Sequence, residues 1–418
     1  MKFKAKYLLI ILTVLALSSC ATTGREIKVK ASSKPEALQL LQNQTGKSPV
    51  WSSYPVFDFN GDEVRNRMLS LIENARDYIM INSYLLMYDE YGSIILEAIN
   101  KKYKEGVNVY IIADSSNYLV PGESGFSFLK ENLIPFVEYN PIRPYKLLFG
   151  RSVIYRDHRK FWVVDGKYVY IGGCNIINSS LTPADQGGNI DGMVLVESQK
   201  TAEILIEAFV RTWNNASDLI LDSKMFRIPD QKIFETKAIL INQEINGNNE
   251  KITDMLSGFF SAARKEVWII QPYTFVNSNI IKAVKKMVKK GVDVNIILSK
   301  DSTSSKYYYA SFYGIKDLLE AGAVVWLYSP PARSSPLHFK AFFIDNEGVS
   351  IGSANFNQRS FRYSDEANII FNDPVSFREI AKSLYIIKKS CRKVYMGEAK
   401  TYRTPLYRIW NKLMQIAG

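Results

Sequence analysis

Histidine is nearly absent from this chain. Its 418 residues include only two, His158 and His338, and three cysteines, Cys20, Cys174 and Cys391. Two cysteines besides Cys20 exclude a disulfide framework and a zinc site. Cys174 and Cys391 could pair with each other, but two small buried apolar side chains are the better reading. Long apolar runs are scarce as well. Tyr7 to Leu17, apolar apart from Thr13, is the one such run, and a spanning helix needs about 20 apolar residues. Nothing in the bulk composition points to disorder or a fibrous class. With 47% hydrophobic and 22% charged residues the chain can bury a sizeable core, and its length suits two or three domains.

Lys2, Lys4 and Lys6 precede the apolar run, and Leu17-Ser-Ser-Cys20 follows it. A basic segment, a short apolar segment and then small residues make a signal peptide. The Leu17–Cys20 sequence resembles the lipobox of bacterial lipoproteins. That resemblance implies lipidation of Cys20, with the protein body tethered in the bacterial cell envelope and facing the periplasm or exterior. Without the three early lysines the net charge falls from +12 to about +9. A basic body suits an anionic lipid surface, and the same charge would serve a nucleic acid, so charge alone does not choose.

The rest of the chain is written twice. Glu63 to Ala75 has helical periodicity, Asp77 to Tyr84 reads as a buried strand, and Gly92 to Glu105 reads as a helix closed by Gly106 before the strand Val107 to Ala113. The second half repeats the order with helix Ile252 to Arg264, strand Glu266 to Gln271, helix Ile280 to Lys290 closed by Gly291, and strand Val292 to Leu298. The junctions Lys104-Glu-Gly-Val-Asn-Val109 and Lys289-Lys-Gly-Val-Asp-Val294 nearly coincide. Strands alternating with helices predict α/β architecture: two tandem αβ sandwich domains related by a pseudo-two-fold axis, with one active site between them.

Each half carries the same constellation. His158-Arg-Lys160 is followed by four apolar residues, Asp165 and, after a gap of six residues, Gly172-Gly-Cys-Asn175; His338-Phe-Lys340, Asp345 and Gly352-Ser-Ala-Asn355 match it at every spacing. On a strand residues i and i+2 face the same way, so each His and Lys point together. Two imidazoles, two ammonium groups and two amides suit a phosphate diester. Lys160, Lys340, Asn175 and Asn355 would hold the non-bridging oxygens. One neutral imidazole would attack phosphorus and the other would protonate the leaving alcohol. No metal or other cofactor is required.

These residues resemble the HxKxxxxD and GGxN/GSxN motifs of the phospholipase D superfamily, from about Val56 to about Lys382. Within it, Asp157-His-Arg-Lys160, Ile171-Gly-Gly-Cys-Asn-Ile176 and Gly352-Ser-Ala-Asn-Phe-Asn-Gln-Arg-Ser360 look most like bacterial cardiolipin synthases and phospholipase D-like lipoproteins. The resemblance implies that His158 is the nucleophile and His338 the general acid and base. Lys160, Asp165, Lys340 and Asp345 complete the catalytic motifs, and Asp191 and Glu366 are candidates to orient the imidazoles. Asp165 and Asp345 could instead fix the turns after their strands, while Ser353 and Ser360 could add hydrogen bonds near the phosphate or serve turns and caps. Asn357 stands where that family usually has Asp, and its usual pair of N-terminal transmembrane helices is missing.

The expected organisation is a signal peptide over 1–19, a linker over 20–50, phospholipase D-like domains over 51–240 and 241–396, and a basic amphipathic tail over 397–418. The tail could lie in a membrane interface or dock on the protein itself. The expected activity is phosphatidyl transfer or phosphodiester cleavage on phospholipids through a phosphohistidine, with phosphatidylglycerol as substrate. A phospholipase D hydrolase releasing phosphatidic acid is the alternative. An exported endonuclease, and so a nucleic-acid partner, is less favoured because a membrane tether gives a nuclease little.

Overall fold

The computed structural model describes residues 24–30, 37–141, 154–245, 250–300, 305–329 and 335–417. The expected signal peptide and Cys20 lie outside the described residues. The first half supplies β1 (Val50–Ser52), β2 (Val56–Asp58), β3 (Tyr78–Ser83), β4 (Asn108–Asp114), β5 (Phe136–Tyr139), β6 (Arg156–Asp157), β7 (Phe161–Val164), β8 (Tyr168–Gly172) and β9 (Met193–Glu197). The second supplies β10 (Thr236–Gln243), β11 (Glu266–Gln271), β12 (Asp293–Ser299), β13 (Val324–Tyr328), β14 (Ala341–Ile344), β15 (Gly348–Gly352), β16 (Ser364–Phe371) and β17 (Cys391–Lys393).

One sheet runs β2-β9-β8-β7-β3-β4-β5 and the other β1-β10-β16-β15-β14-β11-β12-β13-β17. Without the edge strands β1 and β17 the two orders are the same. The register repeats too: Ile79 faces Val164 across β3 and β7, and Val267 faces Ile344 across β11 and β14. Duplication is therefore present in three dimensions, with the α/β class and paired domains read from the sequence.

Alternation along the strands sorts side chains into layers. Ile79 and Ile81 of β3 pack outward against helices Gly61–Asn74 and Glu90–Lys104 through Val64, Met68, Ile95 and Ile99. Met80, between them, joins an inner core shared by both halves, with Phe161, Val163, Ile270, Phe343 and the helices Gln199–Asn214 and Pro374–Lys389. Helices Lys251–Ala262 and Ser278–Lys289 cover the outer face of the second sheet. The inner core fixes the two sheets against each other, since each fully buried Phe or Ile contributes about 1.5–3 kcal/mol. Asp89 and Asn277 cap the equivalent helices Glu90–Lys104 and Ser278–Lys289. Gly106 and Gly291 end them at φ +95° and +82°, a backbone region that disfavours a Cβ.

Two stretches differ from the sequence reading. The domain junction expected between residues 240 and 241 falls inside β10, all of which pairs in the second sheet. The segment expected as a linker over 20–50 is docked where it is described. Ile27, Val29 and Leu41 enter the second domain's core, Lys28 N and Lys30 N donate to Ser257 and Ser261, and Arg25 pairs with Asp254. Its apolar residues are too few and too spaced to stand out in a Lys/Ser/Gln-rich stretch, yet each fits a groove along helix Lys251–Ala262.

Candidate active site

The two halves are stitched together at the histidines. β6 runs parallel to the start of β16, pairing Arg156 with Ser364 and Asp157 with Asp365, and His158 N donates to Asp365 O at 3.0 Å. The mirror arrangement joins Leu337 to Ile190, with His338 N donating to Ile190 O at 2.8 Å. Each histidine therefore sits beside the carboxylate of the opposite half. His158 Nδ1 lies 3.1 Å from both Glu366 oxygens, and His338 Nδ1 lies 2.5 Å from Asp191 Oδ2. The sequence reading named both carboxylates but not this exchange, because strand pairing between halves leaves no mark in either copy.

Lys160 and Lys340 are fully buried. Lys160 Nζ donates to His158 O at 2.6 Å. Lys340 Nζ donates to His338 O and lies 3.6 Å from Asp191 Oδ2. It also lies 2.8 Å from His338 Nδ1. One ring nitrogen cannot donate to Asp191 and accept from Lys340 together. We assign Nδ1–H to the carboxylate in both pairs, which turns each Nε2 to chemistry, with Lys340 Nζ 3.2 Å from that of His338.

Burial, with the Lys160 ammonium beside it and Glu366 working against both, pushes the His158 imidazole down to about 4. Burial and Lys340 push His338 down as well, against Asp191. Burial also lowers Lys160 to about 7, opposed by Glu366, and lowers Lys340, opposed by Asp191. Burial works to raise the two carboxylates, yet Lys340 and His338 hold Asp191 below its ordinary value, and His158 and Lys160 do the same for Glu366. Lys340 acts on His158 and Lys160 acts on His338. Both motifs thus form one electrostatic centre.

The second copy is the more heavily braced. Ser353 Oγ donates to Glu366, and Ser360 Oγ donates to its other oxygen at 2.6 Å. In the first copy Gly173 replaces Ser353, and a Cβ there would meet Asp191 Oδ1 at 2.2 Å. The shorter aspartate thus requires the glycine. Asn175 and Asn355 follow β8 and β15, and their backbone N–H groups donate to Ser180 and Ser360. Asn175 Oδ1 accepts from Leu85 N at 3.2 Å. Asn355 Oδ1 is buried and meets no partner among the described residues, an incomplete group of the kind a ligand satisfies. Asn357 caps helix Gln358–Arg362 by accepting from Ser360 N at 3.0 Å.

Asp165 and Asp345 are not in this centre. Each lies beyond the far end of β7 or β14, five residues or about 16 Å along extended chain from its motif lysine. Asp165 accepts from Arg76 N, Asp77 N and Tyr78 N at 2.8–3.0 Å. Asp345 accepts from Arg264 N, Lys265 N and Glu266 N at 2.7–3.0 Å. Both adopt positive φ, +52° and +53°. A short carboxylate tolerates that turn and can gather three N–H groups at the start of the neighbouring strand, which corrects the catalytic reading to a structural one. Asp165→Ala should lower unfolding stability by about 2 kcal/mol and leave kcat unchanged at a temperature where the protein is folded. A large kcat loss without destabilisation would contradict this.

Two contributions went unread in the sequence. Tyr84, directly after β3, sets its ring edge-on to His158 at 4.9 Å between centroids, and Lys160 Nζ lies 5.0 Å from the same ring. Arg159, fully buried, donates to both Asp157 oxygens at 2.9 and 2.6 Å, to Thr212 Oγ1 at 2.8 Å and to Asn242 Oδ1 at 3.2 Å. The signal for it was the contrast between Asp157-His-Arg159 and Leu337-His-Phe339. Cys174 is buried and Cys391 half-buried, both free.

Comparison with known proteins agrees with this geometry. The family model for "Cardiolipin synthase, PLD-like domain" matches residues 68–213 and 256–385. A cardiolipin synthase of Listeria monocytogenes is 29% identical over 317 residues, 74% of this chain and 63% of that one. A probable cardiolipin synthase of Bacillus subtilis is 25% identical over 326 residues, 77% of this chain and 63% of that one. The chain thus spans 63% of the length of these relatives. The phosphatidylserine synthase of Haemophilus influenzae shares the fold, with TM-score 0.72 at 15% identity, covering 92% of this chain and 100% of that one. With both motifs inside the matched segments and both halves of the fold in place, the chain belongs to the cardiolipin synthase, PLD-like domain family.

Proposed function

We propose that this protein is a phosphatidyltransferase that makes cardiolipin from phosphatidylglycerol through a phosphohistidine. The observation that carries the reading is the crossed pairing of two His–carboxylate units, each with a buried lysine beside its histidine. His158 Nε2 attacks the phosphorus of one phosphatidylglycerol, and the bond from phosphorus to the glycerol head-group oxygen breaks. That oxygen takes the proton of His338 Nε2, and glycerol leaves. A hydroxyl of a second phosphatidylglycerol then gives its proton to His338 and attacks phosphorus, which frees His158. Lys160 and Lys340 offset the charge of the non-bridging oxygens in both steps. Burial and, after it, the ammonium charges hold the imidazoles down; the bound diester offsets the ammonium part and so favours the protonated His338 that the first step needs. The cardiolipin synthase relatives support this choice of reaction. Lipid on Cys20, proposed from the lipobox, would hold the body in the cell envelope beside its substrate; incorporation of labelled fatty acid, lost in Cys20→Ser, tests that.

The decisive experiment supplies phosphatidylglycerol vesicles and analyses the products. Cardiolipin and glycerol in equal amounts are expected. Phosphatidic acid as the main product would replace the transferase with a hydrolase, and no turnover would overturn the reading.

The pH profile is a second check. In the free enzyme His158 stays neutral down to about pH 4 and Lys160 keeps its proton only up to about 7. Acid below 4 removes the nucleophile, and base above 7 removes a phosphate-binding charge. kcat/KM should therefore rise through about pH 4 and then fall as pH rises. It falls first as the free-enzyme His338, held below its ordinary value, loses the proton it must donate, and again above about 7 as Lys160 loses its charge, by up to about tenfold per unit for each. A profile flat from pH 7 to 9 would contradict it.

A further inference from the structure

The C-terminal helix Pro405–Ala417 has two unlike faces. One is docked: Leu413, Met414 and Trp410 pack on Phe275, Ala310, Tyr273 and Tyr307, and Asn411 Nδ2 donates to Ala310 O at 2.7 Å. The other is open. Leu406 and Ile409 are 49% and 54% exposed, and Arg408 and Lys412 stand exposed beside them. A hollow of about 450 Å³ lies along this face, lined by Tyr313, Arg403, Pro405, Arg408, Ile409 and Lys412 together with Thr404. Three of those side chains are cationic and none is acidic. Arg403 is engaged, paired with Asp317 and stacked 4.2 Å from the centroid of the Tyr313 ring. Among the described residues Arg408 and Lys412 have no ion-pair partner.

The docked face leads to the catalytic centre. The Tyr307 and Tyr273 rings are 4.8 Å apart, and Tyr273 lies near Tyr84 and Glu366. Tyr84 in turn rests on His158. The docked face of the helix therefore lies on the side of the protein that holds the catalytic centre.

We propose that this open face is a membrane-docking surface for anionic phospholipid. Arg408 and Lys412 meet the phosphate head groups, one of which occupies the hollow, while Leu406 and Ile409 enter the boundary between head groups and acyl chains. Exposed aliphatic residues interleaved with cations on one helix face are the pattern of an interfacial helix, and the charge complements an anionic leaflet. The inference deepens the lipid-substrate reading, on which it rests only for its purpose: docking here brings the lipid surface to the mouth of the site.

The test reads insertion rather than turnover, so it stands or fails apart from the transferase chemistry. A nitroxide is placed by Ile409→Cys, and separately by Leu406→Cys, in the full chain carrying Cys20→Ser and Cys391→Ser, so that no lipid anchor contributes. Mixed vesicles of phosphatidylglycerol and phosphatidylcholine should shield both labels from an aqueous quencher and expose them to oxygen. Adding Arg408→Glu and Lys412→Glu should raise the vesicle lipid needed for half-insertion by at least about tenfold. Thermal unfolding of each variant checks that the helix remains docked. Labels that stay aqueous in folded protein on these vesicles would overturn the proposal. So would insertion unchanged by the double charge reversal, or equally strong insertion into phosphatidylcholine alone.

Discussion

His158→Ala should form no covalent phosphatidyl-enzyme with any substrate and should lose at least about 10⁴-fold in kcat, because the bond to phosphorus has no other donor. His338→Ala should behave differently. It keeps the nucleophile and loses the proton donor, so a substrate with a good leaving group should still load His158. The adduct should then persist, since no base activates the incoming hydroxyl. Intact-protein mass spectrometry after such a substrate distinguishes the two variants. An adduct on His338 would reverse the assignment and preserve the mechanism. Turnover that survives loss of either histidine would end it.

Arg159→Ala should be the most damaging change outside the catalytic pair. Arg159 is the counter-ion between Asp157 at 2.6 Å and Asp365 at 3.8 Å, all buried. Burial already raises Asp365 to about 7 even with Arg159 holding it down. Removing the guanidinium leaves carboxylates without compensation and should cost roughly 3–5 kcal/mol of stability, read as a lowered urea midpoint. Asp157→Leu combined with Arg159→Phe copies the flanks of the second motif, Leu337 and Phe339. It should recover a substantial part of that loss, because a buried ion pair can often be exchanged for apolar packing. If the single variant loses less than about 1 kcal/mol, the network is not what holds this seam.

The sequence carried most of the fold because it stated everything twice. Helices closed by Gly106 and Gly291, and strands β3, β4, β11 and β12, lie within a few residues of their expected bounds. Local rules were enough there: alternation, caps and a glycine at positive φ. His158, Lys160, His338 and Lys340 were legible for the same reason, since each pair stands at the matching place just before β7 or β14, although not on a strand as the sequence reading had it. What stayed hidden depends on contacts distant in sequence. His158 and Glu366 are 208 residues apart, and His338 and Asp191 are 147 apart, so no local pattern announces their exchange. Asp165 and Asp345 misled in the opposite way. They share the motif's spacing, but a strand turns its ends to different places, and these ends hold backbone N–H groups instead of substrate. The docking of Ile27, Val29 and Leu41 was unreadable because three scattered side chains make no periodic stripe.

The exchange of carboxylates also sets an order of maturation. During synthesis His158 emerges long before Glu366, and its oriented, buried state requires β16 to lie beside β6. His338 likewise finds Asp191 only once the second half has reached the first. A nascent or half-folded chain therefore holds neither imidazole in its oriented state, and the centre is assembled only when nearly the whole polypeptide is in place. The pairing of strands across the two halves is thus an interlock on the site.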